Sequence, residues 1–263
     1  MLIVKIGGGE KINLEGIVKG LASLKERFVV VHGANHARDE LARRLGAEKK
    51  ILTSASGYDS VYSDEQAIDL LMMAYAGLKN KRLVELCHRN GLNAVGLTGL
   101  DARLIQGKRN AGIRVKDGEK LKIVRDFSGK PQSVNKEFLE LLMGNGYAPV
   151  LCVPIIDENG YAINSENDDI VRVLQKELKA GTVINLIEEK GFLKEKDDKD
   201  SLIHHLSLNE LKAWEEKSTG RVKRKLLSVR QLLEASPCRV IIGDGRTENP
   251  VKDALEGKGT IIE

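Results

Sequence analysis

The run "LIVKI" at residues 2–6, followed at once by Gly7, Gly8 and Gly9, decides how the rest of the chain is read. Four apolar residues out of five mark a strand buried on both faces, as in a parallel sheet. A lysine ammonium is seldom left inside such a strand without a partner. Lys5 therefore either snorkels out at a sheet edge or is aimed at an anion sitting over the glycines.

Working outward, "FVVVHG" (28–33) is a second near-continuous apolar run, and "NHARDELARRLG" (35–46) has helical spacing closed by Gly46. Apolar residues at three- and four-residue spacings predict a helix over 64–91, and "NAVGLTG" (93–99) follows as another strand entering a glycine turn. From Arg103 to Pro131 the pattern changes to short strands with turn signals such as "KDGEK", a β-hairpin excursion. Helix and strand then alternate again through "SVNKEFLELLMGNG", "APVLCVPII", "DDIVRVLQKELKAG", "TVINLI", "NELKAWEEK", "KRKLLSVRQLLEAS", "RVIIGD" and "GTIIE". This alternation predicts an α/β fold, a mostly parallel central sheet sandwiched by helices. With no repeat and no linker, residues 1–156 and 157–263 read as two lobes sharing one continuous sheet.

Composition excludes several classes. Of 263 residues, 41% are apolar and 30% charged, with a net charge of +4. The surface leans basic without the dense clusters of a nucleic-acid binder. No apolar stretch approaches the ~18–20 residues of a membrane span, and the first glycines come too early for a signal peptide. Cys87, Cys152 and Cys238 are odd in number and far apart, which fits buried thiols in a reducing cytoplasm.

Sheets of this class bind ligands beyond the carboxyl ends of their strands. Three strand ends carry glycines, "KIGGGE", "VVHGAN" and "VGLTGLD". Glycine lets backbone approach a phosphate, and a following helix dipole favours its charge. Neither GxxxxGK[ST] nor a strand-following GxGxxG is present, so P-loop and dinucleotide-binding enzymes are not indicated. Later, "STGRVKRKLLSV" sets Arg221, Lys223, Arg224 and Lys225 ahead of an amphipathic helix. That is a solvated face, or a set of cations that an anionic ligand would bridge to helix N–H groups. In "AINSENDD", one of Asn164, Glu166 and Asp168 serves as a helix N-cap, which leaves the other two unexplained.

Together these segments resemble the amino acid kinase superfamily, in particular its acetylglutamate kinase branch, over essentially the whole chain. "KIGGG" is similar to that family's K-x-G-G opening, "VVHGAN" to its V-H-G-G-G loop and "AGLKNKRL" to its A-G-x-x-N-K helix. "INSENDD" is similar to its N-x-N-A-D segment and "GRVKRK" to its G-G-M-x-x-K element. Within the branch, "GLTGLDARLIQGKR", "GRVKRK" and the C-terminal "IGDGRTENPVKDALEGKGTII" look closest to the [LysW]-aminoadipate kinases, which act on substrates held by a carrier protein.

The resemblance implies phosphoryl transfer from ATP with Mg2+ to a side-chain carboxylate, giving an acyl phosphate. It implies that Lys5 and Lys225 flank the moving phosphoryl group, that Asp168 orients them, and that Gly7 and Gly8 offer N–H groups to the phosphates. Gly33, Ala34, Asn35, Val61 and Asn164 fall at substrate-binding positions. The lobe 1–156 would take the acyl substrate and the lobe 157–263 the nucleotide. The implied partners are an acidic LysW-like carrier protein and a second copy of the chain, in a cytoplasmic homodimer packed partly through "AIDLLMMAYAGL".

Two departures bear on the substrate. Where acetylglutamate kinases have three glycines after the histidine, this chain has Gly33, Ala34 and Asn35. Where the family commonly clasps the substrate's α-carboxylate with an arginine, this chain has Val61, so recognition passes to another cation or to hydroxyls such as Tyr58 and Tyr62. Both argue against free N-acetylglutamate and for a carrier-borne aminoadipate or glutamate. A rim of Arg38, Arg43, Arg44, Lys108 and Arg109 is the expected landing surface for an acidic carrier. His32 reads as a structural residue of its loop, His204 and His205 as surface residues, and Trp214 as packing.

Overall fold

The computed structural model describes residues 1–47, 50–53, 59–117, 120–195, 198, 200–218 and 220–263. Its central sheet has eight strands: β1 (Leu2–Ile6), β2 (Phe28–His32), β3 (Ala94–Thr98), β4 (Ala148–Cys152), β5 (Thr182–Ile187), β6 (His205–Leu206), β7 (Arg239–Asp244) and β8 (Thr260–Ile262). Across the sheet they run β6-β8-β7-β5-β1-β2-β4-β3, parallel throughout except for the β7–β8 pair. β1 therefore lies in the interior, and Lys5 does not sit at an edge.

Strand alternation sorts β1 into two faces. Leu2, Val4 and Ile6 join one buried cluster, while Ile3 joins the other and Lys5 shares its face. The helices are α1 (Leu14–Ala22), α2 (Asn35–Arg44), α3 (65–89), α4 (Lys136–Gly144), α5 (Asn167–Leu178), α6 (Leu208–Lys217), α7 (Gly220–Ala235) and α8 (Pro250–Leu255). α4, α5, α6 and α7 cover the face of Ile3, and α1, α8 and the second half of α3 cover the other. Each Val, Ile or Leu buried this way stabilises by roughly 1.5–3 kcal/mol. Local signals set the helix ends: Asn13 caps α1 by accepting from Gly16 N at 3.0 Å, and Ser207 with Glu210 forms a capping box on α6. Trp214 is partly buried against the core, as read from the sequence.

The excursion is a second, four-stranded sheet. Ile105–Arg109 pairs antiparallel with Gly129–Val134, Ile155–Ile156 and Ala162–Ile163 extend it, and Ile113–Asp117 with Lys120–Val124 forms a further hairpin. The expected turn at Gly118 and Glu119 lies outside the described residues.

The chain reaches β1 first, lays down β2 and the edge strand β3, inserts β4 between them, then returns to place β5 on the other side of β1. The strand order thus reverses at β1, where open α/β sheets bind their ligands.

Candidate active site

Lys5 has its partner on α5. Its Nζ donates to Asp168 Oδ1 in a close ion pair, with the lysine side chain 15% and the aspartate 33% exposed. Asp168 lies in the first turn of α5, where the helix dipole favours an anion. Glu166 holds the N-cap position without a side-chain capping bond.

The first two glycine turns meet each other. Gly33 N donates to Ile6 O at 2.8 Å, and His36 N donates to Gly8 O at 3.0 Å. A Cβ at Gly8 would stand 2.6 Å from Asn35 N and 2.8 Å from Ala34 N, and one at Gly33 would stand 2.8 Å from Gly8 N. Only hydrogen fits at either position, because backbone packs on backbone. The third turn behaves differently: Gly99 packs against Ile155 Cα, which a Cβ would approach to 2.7 Å, and its N–H goes to Pro154 O. That glycine joins the two sheets and is no part of an anion cradle.

Lys225 is exposed in the first half of α7, which packs on α5, the helix that carries Asp168. Glu166 is exposed, with protein packed about its carboxyl group. This crowding, then the charge of Asp168, raises its carboxyl pKa, while Lys5 and Arg224 pull the other way. Lys5, Arg224, Glu166 and Asp168 therefore share one electrostatic environment.

On the substrate side, Tyr75 on α3 donates its hydroxyl to Asn35 Oδ1 at 2.6 Å, and Ala34 is buried. Val61 lines a hollow together with Arg38, Lys50, Tyr62 and Asp64. Two residues on, Ser63 Oγ accepts from Asn164 Nδ2 at 3.4 Å, so the Val61 segment is tied to Asn164. The tie rests on Asp126, a residue not singled out from the sequence. Its buried carboxylate accepts from Ser63 N at 3.1 Å and from Ser128 Oγ at 2.5 Å. Tyr58 lies outside the described residues.

Three buried polar atoms on this side of the sheet, Ser165 Oγ, Asn167 Oδ1 and Asn185 Oδ1, have no hydrogen-bond partner among the described residues. Only the Ser165 hydroxyl among them can donate to an anionic ligand, whereas the two amide oxygens call for a donor such as an ammonium. Among the described residues no three His, Cys, Asp or Glu side chains gather to hold a metal ion. The expected rim needs revision in one respect. Arg109 is occupied structurally, its guanidinium 3.8 Å from the Phe127 ring centroid and its Nε donating to Asp126 O at 2.7 Å. Arg43 and Arg44 remain exposed but share Glu40 at 2.8 and 3.0 Å.

Comparison with known proteins adds three findings. Residues 1–244 match the sequence model described as "Amino acid kinase family". The chain is 36% identical over 268 residues to the [LysW]-aminoadipate kinase of Thermus thermophilus, covering 100% of both chains. It is 29% identical over 268 residues to the [LysW]-aminoadipate/[LysW]-glutamate kinase of Sulfolobus acidocaldarius, again covering 100% of both. In fold it is similar to Giardia carbamate kinase, with a TM-score of 0.69, 16% identity and coverage of 99% of this chain and 97% of that one.

Proposed function

The chain belongs to the amino acid kinase family, and from that premise we propose that it transfers a phosphoryl group from ATP to the side-chain carboxylate of an amino-protected aminoadipate presented by a LysW-like carrier protein. The observation that carries this reading is the Lys5–Asp168 pair on the interior strand, beside a backbone cradle closed by Gly8 and Gly33. Phosphoryl transfer needs positioning and charge neutralisation more than covalent help. A carboxylate acceptor is already ionised at neutral pH, and the buried, neutral His32 is not needed as a base. Lys5 and Lys225 stabilise the transferring group from two sides, Asp168 holds them in place, and Gly8 offers its N–H to the phosphates; the N–H of Gly7, expected from the sequence to do the same, is given to Leu186 O at 2.9 Å. Mg2+ arrives with the nucleotide phosphates.

The N-terminal lobe 1–156 takes the acyl end of the substrate against Gly33, Ala34 and Asn35, with Asn164 reaching it from the other lobe, and the lobe 157–263 takes ATP. Ala34 and Asn35 narrow the acyl pocket, and Val61 offers no guanidinium for an α-carboxylate, so a free N-acetylated amino acid is held poorly. The acyl phosphate product belongs to lysine biosynthesis, with the glutamate conjugate and arginine biosynthesis as the second reading supported by the dual-named relative. Among the described residues no helix is long and apolar enough to cross a membrane, and we place the enzyme in the cytoplasm. Met73, 47% exposed, and Leu78, 49% exposed, give α3 an outward apolar face for a homodimer.

The deciding experiment traps acyl phosphate as hydroxamate with ATP and either the carrier–aminoadipate conjugate, the carrier–glutamate conjugate or free N-acetylglutamate. Turnover of the aminoadipate conjugate is expected to dominate. Turnover of free N-acetylglutamate with kcat/KM of roughly 10⁴ M⁻¹s⁻¹ or more would overturn the carrier reading.

A further inference from the structure

β5 reads "TVINLI", an apolar strand with one amide in its middle, as β1 reads "LIVKI" with one lysine. The two strands are parallel neighbours, and the polar residues fall in register: Lys5 pairs with Asn185. Registered residues of parallel strands point to the same face. Their neighbours bear this out, since Ile3 and Val183 join one cluster while Val4 and Ile184 join the other. On its other side Asn185 is in register with Ile242 of β7, on the face covered by α5 and α7. Asn185 thus lies beneath the helix of Asp168 and the helix of Lys225. It is 8% exposed, and its Oδ1 has no partner among the described residues.

A buried amide oxygen is seldom left unpaired, and where one persists beside a reactive cation it calls for a role. Lys5 carries three ammonium hydrogens. One goes to Asp168 Oδ1. We infer that Asn185 is a positioning residue for Lys5: when the phosphoryl group enters, the ammonium keeps one hydrogen on Asp168 Oδ1, gives a second to Asn185 Oδ1 and aims the third at the transferring oxygen. Asp168 from above and Asn185 from the adjacent strand then fix the ammonium from two directions, which leaves the third aligned with the phosphate. An aspartate in place of Asn185 would add negative charge where phosphate must sit. The amide accepts a hydrogen bond without repelling the ligand.

This inference rests on the kinase reading above, and the test separates the two. Asn185→Leu keeps the side-chain volume, suits an apolar strand and removes the orphan oxygen. Its melting temperature is therefore expected to equal or exceed that of the wild type. Calorimetric titration with ADP, and with ADP plus aluminium fluoride as a mimic of the phosphoryl group in flight, needs no acceptor substrate. The expected result is unchanged ADP affinity and about a 10-fold loss of affinity for the fluoroaluminate complex, the size usual for a supporting partner of a functional group. In turnover, kcat falls by a similar factor with little change in KM for ATP, and Asn185→Thr, which keeps an acceptor oxygen, recovers part of it. Equal fluoroaluminate affinity in wild type and Asn185→Leu overturns the role of Asn185, as does a loss of ADP affinity equal to the loss for the complex. If Asn185→Leu melts lower, Asn185→Thr decides by the same ratio of affinities. Failure of the wild type itself to bind ADP would instead sink the kinase reading.

Discussion

Lys5 and His32 are near neighbours on adjacent strands, and each is the only polar side chain of its strand. Ile6 is in register with His32, and Lys5 with Val31, so the two polar groups leave the sheet on opposite faces. The difference between them is instructive. His32 is fully buried and fully served. Asn80 Nδ2 donates to its Nε2 at 3.1 Å and to Val150 O at 3.0 Å, which leaves the proton on Nδ1, 3.3 Å from Gly33 O. Burial above all, helped by the positive charge of Lys79 and opposed by the Gly33 hydrogen bond, lowers its pKa to about 4. Lys5 keeps a charged partner and an opening toward solvent. A polar residue closed inside a neutral network holds the fold, and one left half-open with an ionic partner is placed to meet a ligand, the role we propose for Lys5.

The sharpest way to break this contrast is to remove the lysines. Lys5→Ala and Lys225→Ala are each expected to lower kcat by about 10²–10³, the loss typical of one electrostatic stabiliser. ADP affinity and melting temperature should change far less. A Lys5→Ala protein that unfolds instead of stalling would put Lys5 in the same class as His32.

The histidine should make stability depend on pH. Between pH ~6.5 and ~4 the unfolded chain takes up a proton that folded His32 refuses, so stability falls as pH falls through this window. The loss amounts to about 3 kcal/mol by pH 4 and nothing above pH ~7. Urea melts of wild type and His32→Gln across that range would read it, the variant showing the shallower dependence.

Next in size is the network itself. Asn80→Leu leaves the His32 ring without its donor and should cost about 1–3 kcal/mol, with kcat per folded molecule near wild type. A large kcat loss at unchanged stability would blur the line between the two faces.

The smallest effect belongs to the rim. Arg43 and Arg44 lie eight and nine residues along α2 from Asn35, some ~12–14 Å at 1.5 Å per residue, beyond one Debye length at physiological salt. Reversing Arg43, Arg44 and Lys108 to Glu together is expected to raise KM for the carrier conjugate only several-fold and to flatten its salt dependence, with KM for ATP unchanged.

Much of this was legible in the residues. The strand-to-glycine passage at 2–9, the Asp168 segment and the hairpin excursion each have a local signature, and each lies where that signature implies. Gly99 misleads because a glycine at a strand end looks alike whether it faces an anion or the Ile155 backbone, and only the packed neighbour tells them apart. Arg109 misleads because a solvated arginine and one lying on Phe127 share the same sequence context. Asn185 stays hidden for a related reason: one amide within six strand residues is unremarkable until the register sets it beside Lys5, 180 positions away in the chain.

α3 holds the two regions together, and it does so by its length. Between Met72 and Lys79 it winds as a π-helix, and Asn80 N–H bonds back five residues to Tyr75 O. Within this stretch the helix offers Tyr75 to Asn35, and just beyond it Asn80 to His32. If the stretch relaxed to an ordinary α-helix at the same length, every side chain downstream would rotate by about a quarter-turn or more against those upstream. Either the acyl loop or the histidine network would then lose its contact, although no contacting residue had changed. Along this helix substitutions should be tolerated more readily than insertions or deletions, because what it stores is a count.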